Sequence, residues 1–431
     1  YFYKYKMIKR ILYTLLIMFP VLASAQINTD RVMAIGRNAL YFEDYVLSIQ
    51  YFNQVINAKP YLSDPYFYRG LAKINLDDFQ GAESDCSEAI ERNPFVVSAY
   101  QVRGLARIQQ NNFAGAIEDY TKALEFDPEN IGVWHNMALC RIRQEDYKGA
   151  KNDLDKLIAI SPRYTKAYLM RGEVDLKQKD TLAAEKDFGK AIEIDRYDAD
   201  TWASRAILRL QQQRYKDAEA DFDHAIRLST RNSGVYINRA LARYHQNNLR
   251  GAMSDYDIAL DIDPNNFIGH YNRGLLRAQV GDDNRAIQDF NFVIEMEPDN
   301  MMAIFNRGLL LDQTGDYKGA IKDYSTVINE YPNFLLGYQY RAQARRKIGD
   351  VKGADADEFK VLKAQLDKQN GVDPNKQTAD NTENNKTRKK SDKNMNNYRK
   401  IVVADNEEGE EKYKSDYRGR VQDKNVNIVP Q

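Results

Sequence analysis

Tandem helix pairs, stacked about ten deep into an all-α solenoid, are what this sequence encodes, and three periodic signals carry that reading. Pro60, Pro94, Pro128, Pro162, Pro264, Pro298 and Pro332 stand on a 34-residue grid, with Arg196 and Thr230 at its two remaining points. Small residues recur at the same interval: Gly36, Gly70, Gly104, Ala138, Gly172, Ala206, Ala240, Gly274, Gly308 and Ala342, each followed by a second small residue such as Ala116, Ala150 or Ala286. Bulky rings or their substitutes keep the same register, from Phe52 and Tyr120 to Phe290 and Tyr324. A fixed period of this length marks one supersecondary unit copied in tandem, each copy burying its neighbour's apolar face.

Within a unit the spacings define two helices. A large residue, usually aromatic, precedes the first small residue by four: Tyr66, Tyr100, Trp134, Tyr168, Trp202, Tyr236, Tyr338. In the second half the small residue, the ring and a further alanine (Ala116, Tyr120, Ala123) are four and then three apart, which places them on one helical face. Asp or Asn opens the second helix in nine units (Asp44, Asp78, Asn112, Asp146, Asp180, Asn248, Asp282, Asp316, Asp350), the chemistry of an N-cap. Gly281, Gly315 and Gly349 ease the preceding turn in three of them. The grid proline then ends the second helix, because it pushes the residue before it out of the α region. The ten units run from 29–62 and 63–96 through to 335–368, and the pattern stops near Gln369.

This pattern resembles the tetratricopeptide repeat (TPR) family over about four-fifths of the chain, and the stretch AYQVRGLARIQQNNFAGAIEDYTKALEFDP within 97–130 carries it best. The resemblance implies a right-handed superhelix whose concave groove is lined by the first helix of each pair. It also implies a protein or peptide partner. On that geometry Phe67, His135, Asn136, Asn238, Tyr244, Tyr271, Asn272, Phe305 and Asn306 are candidate partner-binding residues. Asn136, Asn238, Asn272 and Asn306 share one slot, two residues before the first small residue. An amide there offers a peptide backbone both a donor and an acceptor. The chaperone-adaptor branch of the family uses an Asn in this slot within a carboxylate clamp. Here Gln101 and Leu105 precede Asn136, and Lys166 and Met170 follow it, so the clamp is incomplete. Aromatics and amides suit an extended, largely uncharged peptide.

A second stripe is charged. Arginine precedes the first small residue in eight units, among them Arg239, Arg273 and Arg307, and aspartate recurs on the second helix, among others at Asp255, Asp289 and Asp323. The first unit lacks both, with Ile35 and Tyr51 instead. Their joint absence argues that they pair in a structural ladder, within or between repeats.

Composition narrows the function. Lys plus Arg and Asp plus Glu both number 62, so the chain has no basic footprint for nucleic acid. The four histidines form no H-E-x-x-H, and no nucleophile elbow, phosphate loop or Cys/His constellation is present. No catalytic residue, metal or cofactor is expected. Cys86 and Cys140 lie in units separated by a whole repeat, beyond bonding distance, and read as small apolar fillers.

Residues 1–25 read as a secretory signal peptide: Lys9 and Arg10, an apolar run from Ile11 to Leu22, then Ala23-Ser24-Ala25. Met7 is taken as the start, with residues 1–6 an upstream extension. The expected location is periplasmic or secreted, in a Gram-negative bacterium, with no transmembrane segment after cleavage. The charged end of the last unit, Lys360 to Lys368, reads as a solvating cap and points to a monomer. Residues 369–431 form a low-complexity tail with a basic cluster (Lys386, Arg388, Lys389, Lys390, Lys393) and then an acidic one (Glu407, Glu408, Glu410, Glu411), the composition of a disordered linker. Its short apolar pieces, Ile401-Val402-Val403 and Val421, are candidate strands or a recognition segment. The functional expectation is an exported, non-catalytic interaction scaffold. The alternative is a recruiter or regulator of cell-envelope glycan or outer-membrane assembly enzymes, with the tail as a second site.

Overall fold

A computed structural model describes residues 28–228, 231–369 and 395–404; the expected signal peptide and the two charged clusters of the tail lie outside them. Every regular element among the described residues is helical. They form two compact units that divide between Ile194 and Asp195.

In the first unit five pairs follow one another: α1 (Thr29–Tyr41) with α2 (Tyr45–Ala58), α3 (Asp64–Ile74) with α4 (Phe79–Arg92), α5 (Val97–Gln109) with α6 (Phe113–Phe126), α7 (Ile131–Arg143) with α8 (Tyr147–Ile160), and α9 (Thr165–Lys177) with α10 (Thr181–Ile194). The second unit repeats the scheme: α11 (Ala199–Gln211) with α12 (Tyr215–Arg227), α13 (Ser233–His245) with α14 (Leu249–Ile262), α15 (Phe267–Gln279) with α16 (Asp283–Met296), α17 (Met301–Thr314) with α18 (Tyr317–Glu330), and α19 (Leu335–Lys347) with α20 (Val351–Gln369). A 3₁₀ turn, Met395–Asn397, opens the described part of the tail, which also belongs to the second unit.

Close approach within a pair depends on the first small residue meeting the ring sixteen residues later. A Cβ added to Gly172 would lie 2.6 Å from Cε1 of Phe188, and one added to Gly104 would lie 2.8 Å from Cε1 of Tyr120. Both rings are fully buried, each worth roughly 1.5–3 kcal/mol of transfer free energy. The helices therefore close until backbone touches ring.

The connection inside each pair is equally regular. The residue before the second helix's cap is left-handed in all ten units: Glu43, Asp77, Asn111, Glu145, Lys179, Gln213 and Asn247 at φ between 58° and 64°, then Gly281, Gly315 and Gly349. The next residue caps the helix. Asp44, Asp78, Asn112, Asp146, Asp180, Asn248, Asp316 and Asp350 each accept a hydrogen bond from the backbone N–H three residues on. Asp282 makes no such bond, and one of its carboxylate oxygens lies 3.5 Å from Arg285 instead. The grid proline is not needed to end the second helix. α10 stops at Ile194 ahead of Arg196, just as α8 stops at Ile160 ahead of Pro162.

Candidate peptide-binding face

Asn238, Asn272 and Asn306 lie on α13, α15 and α17, the first helices of three successive repeats, and so emerge in one row. Residues 395–404 of the tail lie along that row, running opposite to the order of the repeats. Asn272 Nδ2 donates to Val402 O at 2.7 Å, while Asn272 Oδ1 accepts from Val402 N at 2.9 Å. Asn238 treats Ala404 identically, 2.9 Å each way. In an extended chain the N–H and C=O of one residue point to the same side, and residues i and i+2 share that side. One side-chain amide can therefore replace a strand partner for one residue, and the next repeat's amide does so two residues along. At the third position Tyr398 O accepts from Asn306 Nδ2 and, at 2.7 Å, from Tyr271 Oη. Asn306 Nδ2 also donates to Met302 O at 2.9 Å.

Asn238, Asn272 and Asn306 are all buried beneath the segment, where an amide without partners would cost about 1–3 kcal/mol, and each is hydrogen-bonded there. Apolar anchors flank the amides. The Tyr398 ring meets Phe305 edge-on at 4.8 Å, within a cluster that includes Met395, Met302 and Tyr340. Ile401 packs on the core containing Ala203, Leu210 and Phe222, and Ala404 belongs to that of Ile237, Ala240 and Leu276. No ion pair joins residues 395–404 to the repeats among the described contacts.

The remaining candidates fall elsewhere. Tyr244 is on α13, and its hydroxyl donates to Gln279 at 2.7 Å, bridging to α15. Phe67, His135 and Asn136 belong to the first unit. Phe67 packs with Tyr66, Ala89 and Ala99, and its ring lies 5.1 Å from that of Tyr68. His135 is buried, its Nδ1 3.3 Å from Tyr164 Oη. Asn136 is half-buried on α7. The tail segment 395–404 is the occupant of this face that sequence reasoning did not place. The signal for it was present in Ile401-Val402-Val403, but nothing in the pattern names its docking partner.

The charged stripe is a set of buried ion pairs. Arg239 reaches Asp255 at 2.6 Å, Arg273 reaches Asp289 at 2.8 Å and Arg307 reaches Asp323 at 2.7 Å, always within the repeat and each through two nitrogens. The third nitrogen turns to the preceding second helix: Arg239 to Asp223, Arg273 to Asp257, Arg307 to Asn291. Each arginine thus joins two repeats. A second basic residue completes most rungs, as Arg243 does for Asp255 and Arg277 for Asp289. Burial pushes the Asp255 carboxyl above its ordinary range despite both arginines. Asp289 is as deeply buried, but His270 Nδ1 at 3.0 Å adds to Arg273 and Arg277, and together they hold its carboxyl below that range. Cys86 and Cys140 are buried free thiols, both pushed up to about 12 by burial. Among the described residues no group of three or more His, Cys, Asp or Glu is placed to hold a metal ion, and no helix is long and apolar enough to cross a membrane.

Comparison with known proteins agrees with this architecture. Family models described as "TPR repeat" match residues 104–140, and as "Tetratricopeptide repeat" residues 131–164, 165–198, 204–267 and 271–333. A search of curated proteins finds no match. Among solved structures, a tetratricopeptide repeat protein from Parabacteroides merdae is 21% identical with a TM-score of 0.46, covering 58% of this chain and 98% of its own. The C-terminal part of a TPR repeat-containing protein from Cytophaga hutchinsonii is 18% identical with a TM-score of 0.46, covering 55% and 97%. YrrB, described as a TPR protein with an unusual peptide-binding site, is 18% identical with a TM-score of 0.39, covering 43% and 95%. With twenty α-helices in ten pairs among the described residues and family matches reaching from residue 104 to residue 333, the chain belongs to the tetratricopeptide repeat family.

Proposed function

We propose that this protein is an exported, non-catalytic scaffold that holds an extended, largely uncharged stretch of a partner polypeptide on the face formed by Asn238, Asn272 and Asn306. One observation carries the reading: two of these amides each pair with both the N–H and the C=O of a single residue of an extended segment. Such contacts read backbone rather than side chain. They tolerate sequence variation at exposed positions and depend little on salt, unlike a basic stripe. Tyr271 and Phe305 supply the apolar floor. The Arg–Asp rungs are spent internally, so their role is to hold repeat to repeat. Export is supported by the basic, apolar and small-residue order of the first 25 residues. Recruitment of envelope-assembly enzymes through the tail as an independent second site is the weaker reading, because residues 395–404 occupy the same face a partner would use.

A display selection with random ten-residue peptides tests this, run on a full-length chain carrying Tyr398→Ala and Ala404→Arg, which remove the ring and the small residue that seat residues 395–404 on the face, and on the same chain with Asn238, Asn272 and Asn306 all changed to Leu. Enrichment of peptides by the first and not the second is the expected result. Equal enrichment by both, with helicity unchanged, would remove the face from consideration.

A further inference from the structure

Residues 395–404 hold the asparagine row as a ligand would, yet six of the ten (Asn396, Asn397, Arg399, Lys400, Val402 and Val403) are exposed. Only Met395, Tyr398 and Ala404 are buried, with Ile401 half-buried. The segment is joined to α20 only through residues 370–394. It is held by two bidentate backbone pairs, one doubly bonded carbonyl and four apolar side chains, all of which another polypeptide can supply. We propose that this segment is a built-in competitor for the partner site. The partner carries the same pattern, an aromatic residue at the end of a tight turn followed six positions later by a small one that closes a short extended stretch, and binds when the tail leaves. This rests on the peptide-binding reading above.

The pattern follows from the contacts. The position of Tyr398 needs a ring, because its neighbours are Phe305 at 4.8 Å and the Tyr340 side chain; its carbonyl, which accepts from Tyr271 and Asn306, places no demand on the side chain. The position of Ala404 needs a small side chain, because it is 3% exposed against Ile237, Ala240 and Leu276. The position of Val402 is restricted only through its backbone, which excludes proline, since its N–H is donated to Asn272. The row also has a defined length. The same slot holds Ser204 before it and Tyr340 after it, and neither offers the paired donor and acceptor of an amide.

Competition of this kind has a calculable size. A tethered segment presents itself at an effective concentration in the millimolar range, so a free peptide with Kd of ~10 μM would be weakened about 100-fold by an intact tail. The probe is a fluorescein-labelled synthetic peptide with the sequence of residues 395–404, titrated by anisotropy into three full-length proteins. These are the unaltered chain, a tail variant carrying Tyr398→Ala and Ala404→Arg, and that variant with Asn272→Asp added. Asn272→Asp keeps size and one acceptor while removing the donor that reaches Val402 O. Hydrogen exchange at the Val402 and Ala404 amides, which the asparagines protect, is followed in parallel and does not depend on the peptide.

The expected result is weak binding to the unaltered chain, about 100-fold tighter binding to the tail variant, and loss of that gain with Asn272→Asp. Equal affinity for the unaltered chain and the tail variant, still lost with Asn272→Asp, would overturn the competition while leaving the peptide-binding face intact. No binding to the tail variant would overturn both. Protection at Val402 and Ala404 that disappears on dilution would place the segment on a second copy of the chain and overturn the intramolecular assignment.

Discussion

Met137 stands where eight other repeats carry the arginine of the ion-pair ladder, and the carboxylate beneath it is left short of charge. Asp153 is buried and receives only Arg141, at 2.7 Å, whose other end is shared with Asp146. Burial pushes the Asp153 carboxyl up to about 6 from an ordinary 3.8, with Arg141 only partly opposing it. Changing Met137 to Arg would restore the rung. Asp153 lies sixteen residues ahead and Thr121 sixteen behind, as Asp119 and Ser87 flank Arg103. Thr121 Oγ1 is already 4.0 Å from the Met137 sulfur.

Magnitude decides which readout is informative. Between about pH 3.8 and pH 6 the folded chain holds a proton on Asp153 that the unfolded chain has lost. The penalty on folding is therefore complete above pH 6 and gone below 3.8. Two pKa units at 1.36 kcal/mol each set it at about 3 kcal/mol, as an upper figure. Met137→Arg relieves part of that penalty at pH 7 but forfeits a buried methionine worth roughly 1.5–3 kcal/mol, so net stability at pH 7 changes little. The proton does not cancel in this way. In the parent a single aspartate carboxyl carbon, followed by NMR in ¹³C-Asp-labelled protein, titrates near pH 6. In the variant it moves down towards the ordinary carboxylate range. Over the same interval the stability of the parent rises relative to the variant as pH falls. Absence of a carboxyl titrating near pH 6 in the parent, or its persistence in the variant, would refute the assignment of a missing rung.

Three further outcomes follow from the packing. Gly172→Ala should destabilise by about 1–3 kcal/mol, because its new Cβ falls 2.6 Å from a Phe188 ring that has nowhere to retreat, whereas Gly274→Ala, at 3.2 Å from Phe290, should cost less; paired thermal melts decide. Gln213→Gly should stabilise by about 1 kcal/mol, since Gln213 sits at φ 62° in a turn that glycine occupies in three later repeats, and no gain in melting temperature would mean that the left-handed strain is already relieved. Tyr324→Phe should be neutral or stabilising by up to about 1 kcal/mol in chemical denaturation, because its buried hydroxyl has no hydrogen-bond partner among the described residues and phenylalanine fills the same slot at positions 188, 222 and 290.

The helix pairs, their caps and the closeness of glycine to ring were legible because each is local: an interval of four, three or sixteen residues determines which face a side chain occupies. The asparagine row was legible for the same reason, as Asn238, Asn272 and Asn306 differ by one period. Periodicity gives the face of each helix but not the rotation between helices. It therefore left open whether Arg273 meets the aspartate of its own repeat or that of the preceding one. Packing settles this with Asp289 in the same repeat and Asp257, rather than Asp255, in the one before. It also could not reveal that α10 ends at Ile194 although Arg196 stands at the grid point of the proline. Least legible was the tail. Val402 lies 130 residues from Asn272 with no repeat to relate them, and its own stretch carries the composition of a linker. Local sequence determined the helices and presented three amides in a row; only the tertiary structure decided what they hold, because a backbone contact leaves no side-chain signature in the segment that makes it.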